Sequence, residues 1–332
     1  MLTKWVVISC LLAVIPLNIN AQEKDSIPYD SYKHKLVLYT DFGYSTAPMS
    51  IYYPFPNNIK RLVFRNNFKP VIGLGFAYKW MALRFNISIP SNVRSVKKYG
   101  KTNFIDLNLD FTFKKVFFNL NWHLYQGFAI KDAYQWNDTI TEKDKNLIRQ
   151  DINSFSAGLN VFQFWNDHFV MNAFKGKTAS YQEDVHTFYL KYFLNLHGIS
   201  SSKPLIPIEL QDTSDSKTTA IGIGAFDLGV IPGYAYVRRW KIFQLGIMGG
   251  VGLTLQSKYY TFNNQTRSFL GLAPRSNFRI SLGINKPKYF LMLTGDIDTK
   301  FTRLNKLKYW QTFYNSKIVL GFRINVKKNE KT

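Results

Sequence analysis

Asp106, Asn108 and Asp110 alternate with Ile105, Leu107 and Leu109, and a few residues later Asn119, Asn121 and His123 alternate with Phe118, Leu120 and Trp122. Spacing by two places each polar set on one face of an extended strand. A two-residue turn at Lys114 and Lys115 then sets Asp106 opposite His123, Asn108 opposite Asn121 and Asp110 opposite Asn119, with Ile105, Leu107 and Leu109 facing Leu124, Trp122 and Leu120. Every opposed pair matches in polarity, which is what a pinned register requires. An aspartate beside a histidine is the pairing used to orient a solute or to act as a general base. The same residues also fit a satisfied ion-pair and hydrogen-bond network filling a narrow closed sheet, the commoner use of such side chains. Arg84, at a similar distance from its own turn as Asp110 is from the next, joins the polar set.

Other candidate chemistry is thinner. The histidines are His34, His123, His168, His186 and His197, and none has the Asn-His-x-Ser setting that outer-membrane phospholipases use around their nucleophile. Asp167 and His168 are adjacent but fall in a predicted tight turn. Asp296 and Asp298 are same-face neighbours that supply half of a divalent-cation site, so no metal and no cofactor is expected. Gly246, Gly250 and Gly252 lie on the inward face of a strand, where close packing explains them better than phosphate binding.

The elements that position these residues read as antiparallel hairpins. Leu36 to Tyr44 is a first strand, and Val71 to Ile89 is a hairpin turning at Lys79 and Trp80, with Gly75 opposite Arg84 so that a long side chain can cross the wall. Asn153 to Phe164 and His168 to Phe174 read as a further hairpin around Trp165 to Asp167. Thr187 to His197 follows as a lone strand. Ile221 to Val237, bent or bulged at Pro232 and Gly233, turns at Arg239 and Trp240 into Ile242 to Gln256. The last hairpin turns at Pro287 and Lys288, and Ile318 to Val326 closes the sheet.

Lys4, the apolar run Trp5 to Ile15, Pro16 and the small Ala21 before Gln22 form an export signal whose apolar core is too short to span a bilayer. The sole cysteine, Cys10, lies in that core, in a setting that argues against lipidation, so the exported chain has no disulfide framework. Aromatic residues make up 17% of the chain, yet mean hydropathy is −0.17. Abundant aromatics without long apolar runs are what strands with one greasy and one polar face produce. The net charge of +22 comes with no zinc, RNA-binding or helix-turn-helix signature, so anionic lipids or solutes are the expected partners and nucleic acid is not.

A greasy face backed by a polar face suits a soluble periplasmic β-sandwich or a membrane barrel. Tight turns alternate with long polar loops after Pro90, Gln126, Ser257 and Ile297, the short-side and long-side asymmetry of outer-membrane barrels. The tight turns carry Lys79, Trp80, Lys114, Lys115, Trp165, Arg239, Trp240, Lys288 and Tyr289, aromatics with basic neighbours as at a lipid headgroup rim. About thirteen runs are counted, and since such barrels have even strand numbers the expectation is an all-β, antiparallel transmembrane barrel of about twelve strands, within ten to fourteen. Residues 1–21 are then the signal peptide, 22–35 a periplasmic lead, 36–326 the barrel and 327–332 a basic tail.

The hairpin Lys69 to Pro90 (KPVIGLGFAYKWMALRFNISIP), the segment Leu228 to Gly252 (LGVIPGYAYVRRWKIFQLGIMGGVG) and the Ala21-Gln22 processing site resemble an uncharacterised family of Bacteroidota-type outer-membrane proteins. That resemblance implies a barrel in the bacterial outer membrane and supplies no reaction or ligand. The chain departs from the terminal aromatic common to such barrels, ending instead in Lys327 to Thr332. The function expected is a small pore or a structural and binding scaffold with a polar lumen, monomeric, and inserted by the barrel-assembly machinery. Its partners are outer-membrane lipids, including lipopolysaccharide phosphates held by the rim lysines and the basic loop Ser91 to Lys101. A lipid-modifying hydrolase and the soluble sandwich stay open as alternatives.

Overall fold

Alternation on this scale needs somewhere to put two rows of unpaired backbone groups, and closing the sheet on itself removes both edges. A computed structural model describes residues 27–326 apart from 57, 68, 90–93 and 114. The export segment, Lys114 and the tail 327–332 lie outside the described residues. Its strands are β1 (Tyr29–Ser31), β2 (Lys35–Thr46), β3 (Met49–Tyr52), β4 (Arg61–Arg65), β5 (Lys69–Tyr78), β6 (Met81–Ser88), β7 (Asn103–Thr112), β8 (Val116–Ile130) and β9 (Leu147–Phe164). There follow β10 (Ala179–Tyr181), β11 (Val185–Ser200), β12 (Gly222–Trp240), β13 (Phe243–Phe262), β14 (Gln265–Asn285), β15 (Tyr289–Leu304) and β16 (Leu307–Asn325). Two single-turn helices, α1 (Val96–Tyr99) and α2 (Met171–Phe174), lie in connections.

Twelve strands form one antiparallel ring in the order β2, β5, β6, β7, β8, β9, β11, β12, β13, β14, β15 and β16, and β16 pairs back onto β2. The opening hairpin has the expected register, with Asp106 paired to His123, Asn108 to Asn121 and Asp110 to Asn119. Every strand of the ring turns at least one large apolar side chain to the outside, among them Leu38, Ile72, Phe85, Ile105, Trp122 and Leu159 on one half and Leu194, Leu228, Leu253, Leu272, Leu293 and Ile318 on the other. Among the described residues no second sheet covers them, since they stay exposed, which rules out the soluble sandwich. A closed ring with an apolar outer wall is a bilayer-spanning structure, because each backbone group is paired and the wall matches the acyl chains. Among the described residues no helix is long and apolar enough to cross a membrane, which says nothing about crossing by strands.

Four expectations are corrected. His168 to Phe174 is no strand: the connection 165–184 folds into the barrel mouth, α2 is wholly buried, and β10 pairs with β1. The true partner of β9 is β11, with Leu159 opposite Leu194 and Val161 opposite Tyr192, so one spurious run disappears and the even count follows. Pro232 causes no bulge: Val230 pairs with Leu253 and Gly233 with Gly250, a constant register across the proline. The polar stretches after Ser257 and Ile297 are not long loops either. Both hairpins continue outward to tight turns, at Asn263 (φ 43°) and Asn264 (φ 59°) and at Asn305 (φ 57°), the left-handed turn geometry that asparagine tolerates.

The short turns at Lys79, Trp240 and Lys286, and both chain ends of the described sheet, lie at one end, the lower; in outer-membrane barrels the short turns are the periplasmic ones. Both mouths are filled. Phe162, Phe164, Phe169, Met171, Phe174, Tyr181 and Tyr189 form an apolar cluster around the folded-in connection at the lower end. At the upper end Ile51, Phe64, Phe128, Trp136, Leu205 and Tyr309 belong to a second cluster built from strand ends and the connections 131–146 and 201–221. Arg149 pins the latter through Asp151 at 2.8 Å, Ser201 Oγ at 2.8 Å and the Pro204 carbonyl at 2.9 Å. Tyr53 donates to Asp212 at 2.8 Å, and burial together with that carboxylate pushes its phenol above the usual range.

Candidate functional site

Between the two apolar caps the inward positions of the strands are polar, and the structure sorts the predicted residues into two groups. The first surrounds Asp106 on β7. One of its oxygens meets His123 Nδ1 at 3.1 Å and accepts from Asn108 at 2.7 Å. The other accepts from Asn86 at 2.8 Å and lies 3.8 Å from both Arg84 and Lys317. Asp41 on β2 completes the set, 3.6 Å from Arg84 and 3.5 Å from Lys317. Two carboxylates and two cations thus alternate across β16, β2, β6 and β7, and Asp41, Asp106 and Lys317 are all buried.

Crossing β5 in this way is possible because of its glycines. A Cβ on Gly73 would stand 2.4 Å from the Asp41 carboxylate and 2.5 Å from Asn86. The space over Gly75, expected to carry Arg84, is filled instead by the Tyr39 ring, 2.3 Å from where a Cβ would be. Arg84 pairs in register with Asn108 rather than standing level with Asp110.

Asp110 organises the second group. A single one of its oxygens accepts from Lys175 at 2.8 Å and Lys177 at 2.9 Å, both on the folded-in connection, and the other accepts from Asn119 at 2.9 Å. Asn121 and Asn160 both donate to Asn119 at 3.2 Å. Further round, Asp227 holds His197 at 3.1 Å, Gln256 at 2.8 Å and Arg275 at 3.4 Å. Asp296 pairs with Arg279, and Asp298 lies 3.6 Å from Arg275 and 3.9 Å from Lys300. The last two aspartates, weighed as half a cation site, therefore face fixed cations, and no group of three or more metal-ligating side chains is found among the described residues.

A family model described as Domain of unknown function (DUF4421) matches residues 23–324. The chain belongs to the DUF4421 family. No curated protein matches it. Three solved structures are similar to this DUF4421 chain. The outer membrane protease OmpT of Escherichia coli is 7% identical with TM-score 0.38, covering 89% of this chain and 98% of that one. For the translocator domain of the autotransporter NalP of Neisseria meningitidis the values are 9% and 0.40, covering 97% and 96%. For an outer membrane channel of Pseudomonas putida F1 they are 10% and 0.34, covering 94% and 100%. The closed twelve-stranded ring with its lipid-facing wall makes this DUF4421 protein an outer-membrane β-barrel.

The predicted rim residues of the DUF4421 barrel that lie among the described residues share the lower end. Trp80 stacks on Phe113 at 5.9 Å and Trp240 on Phe243 at 6.2 Å. Lys115 pairs with Asp167 at 2.5 Å, Lys79 lies over Tyr78 at 5.4 Å, and Trp165 is exposed. Lys288 lies in the β14–β15 turn and Tyr289 opens β15. Arg239 turns inward as well, donating to the Ile242 carbonyl at 3.0 Å and the Asn285 carbonyl at 3.3 Å. Sequence reasoning missed Asp41, Asp227, Arg275, Lys300 and Lys317, and named His197 only among the histidines weighed for a hydrolase. Each is a charged or titratable residue on the polar face of a strand interior, and that was the available signal.

Proposed function

We infer that this outer-membrane barrel is a closed scaffold, whose work is done at its wall and outer loops, rather than an open pore. One observation carries the reading: both mouths are filled by apolar clusters, and the chamber left between them has a volume of ≈ 160 Å³, lined by Arg84, Asp110, His123, Lys175 and Lys191 among others. That is room for waters or one molecule about the size of benzene, and the apolar clusters stand between it and either mouth, so no solute has a path through. The ionic network then serves to fill a narrow lumen rigidly, in line with monomeric insertion by the barrel-assembly machinery. In planar bilayers the purified full chain is expected to show no discrete conductance steps. Reproducible steps at moderate voltage would overturn the closed reading.

A specific observation bears on the hydrolase alternative. Ser156 lies opposite His123 on one side and His197 on the other, and each histidine has its own aspartate. Ser156 is nevertheless wholly buried, its Oγ is bound by Lys300 and by Asn195 at 3.3 Å, and no hydrogen bond joins it to either histidine among the described residues. A nucleophile needs its base within hydrogen-bond reach and a path for substrate. Phospholipid vesicles incubated with the protein are expected to stay intact; fatty-acid release abolished by Ser156→Ala would revive the enzyme reading.

A further inference from the structure

The outer wall has a step. Strands β5, β6 and β7 are 10, 8 and 10 residues long, whereas β13 and β14 run for 20 and 21. Above the last β7–β8 pair, Asn103 with Gln126, the ring no longer passes through the three short strands. It closes through β3, which continues along β16, and β4, which joins β8 at Phe64–Ile130 and Arg65–Ala129. The inward residues of this bridge, Met49, Ile51, Leu62 and Phe64, enter the upper apolar cluster. Its outward residues overlook the tops of the short strands and form one side of a groove of ≈ 580 Å³.

Unlike the greasy wall below, this groove is basic. Arg61 and Arg65 come from β4, Arg94 from the β6–β7 connection and Lys131 from the end of β8, with Asp132 as the only carboxylate in the lining among the described residues. Asp132 is taken up by Lys131 at 2.8 Å. Arg61 donates to the Tyr52 hydroxyl at 3.1 Å, Arg94 lies over the Tyr99 ring at 5.0 Å, and neither Arg61 nor Arg65 has a carboxylate within ion-pair distance among the described residues. The groove stands at the upper edge of the apolar band, where Tyr314 of β16 is exposed beside it.

We propose that this step is a binding site for the phosphate headgroup of a phosphorylated lipid of the outer leaflet. Guanidinium groups match phosphate oxygens with paired donors, and a cation cluster at the headgroup level is attracted to an anionic membrane surface. The lipid source is favoured over a free anion because the site opens sideways off the wall: acyl chains descend along Ile72, Leu74, Phe85 and Ile87 on β5 and β6, directly beneath the step.

The test uses the full chain in an uncharged detergent, with retained lipid read by native mass spectrometry against diphosphorylated lipid A, its dephosphorylated counterpart and inorganic phosphate. Wild type is expected to retain the phosphorylated lipid preferentially. Arg61→Ser with Arg65→Ser is expected to weaken that retention about tenfold, the effect of losing on the order of one charge-assisted contact. Lys131→Ser is expected to weaken it less, and Lys79→Ser with Lys288→Ser at the opposite end to leave it unchanged. Equal retention of the two lipids, indifference to the arginine pair, or displacement by inorganic phosphate at equal concentration would overturn the proposal. Lipid retention and bilayer conductance are separate readouts, so the closed-lumen reading stands or falls independently.

Discussion

Arg323→Ala is expected to release the folded-in connection 165–184 while leaving the strand ring assembled. From the inner face of β16 this one side chain donates to the Lys177 carbonyl, the Gly176 carbonyl and Asn285 Oδ1, each at 2.7 Å, and also to the Lys286 carbonyl. Its guanidinium packs 4.4 Å from the Tyr32 ring and 5.2 Å from that of Phe290. It thereby ties the first described residues, the lower plug, the β14–β15 turn and β16 to one another. Alanine strips these acceptors of their donor inside the barrel, and buried hydrogen bonds to a charged group are worth about 1.5–3 kcal/mol each. Because the four share one donor group they do not add fully, and a net loss of about 3–5 kcal/mol is expected. The measurement is limited trypsin digestion in detergent: cleavage after Lys175 and Lys177 accelerates strongly in the variant and stays slow in wild type. Arg323→Lys, which keeps the charge without the planar fork, recovers only part of the protection. Equal cleavage rates in all three would mean that the plug is held by its apolar packing alone.

The features legible in the sequence are those a single hairpin defines. Register at Lys79, Lys114–Lys115 and Pro287–Lys288 follows from matching polarity across two adjacent runs, and the observed pairings of Ile72 with Ile87 and Ile284 with Leu291 agree with it. Alternation also reveals which face meets lipid. It cannot say that His168 to Phe174 leaves the sheet, because a buried plug is apolar for the same reason as a lipid-facing strand; the wrong hairpin and the odd count had this one cause. The site was legible in the same partial way. Asp106 with His123 and Asp110 with Asn119 were found because they are neighbours in one ribbon, whereas Asp41, Arg84 and Lys317 come together only when the ring closes. Gly73 was readable as a strand glycine, but its use, leaving room for both Asp41 and Asn86 to lie over β5, depends on strands 30 or more positions apart in sequence, as Asp41 and Gly73 are.

Removing Asp106 is expected to be the costliest single change in the lumen. Its carboxylate lies between Arg84 and Lys317, 3.8 Å from each, with His123, Asn86 and Asn108 around it. Without it Asp41 is left to balance both cations in a buried setting. Breaking such a pair typically costs about 3–5 kcal/mol, whereas an exposed pair is worth about 0–1 kcal/mol. The exposed Lys97–Asp144 contact at 3.8 Å supplies the internal comparison. Asp106→Ala is thus expected to lower the urea midpoint of vesicle-inserted protein far more than Asp144→Ala does. The mechanism is separated from loss of packing by a cycle with Lys317→Met, a substitution that keeps the stem and removes the charge. If the cost is an unbalanced cation, the double variant is less destabilised than the two single changes together, by about 1–3 kcal/mol. Additivity to within about 0.5 kcal/mol would mean that Asp106 and Lys317 act separately. The alternation of charges from β16 to β7 would then be a consequence of filling the lumen rather than a unit that holds the closed ring in register.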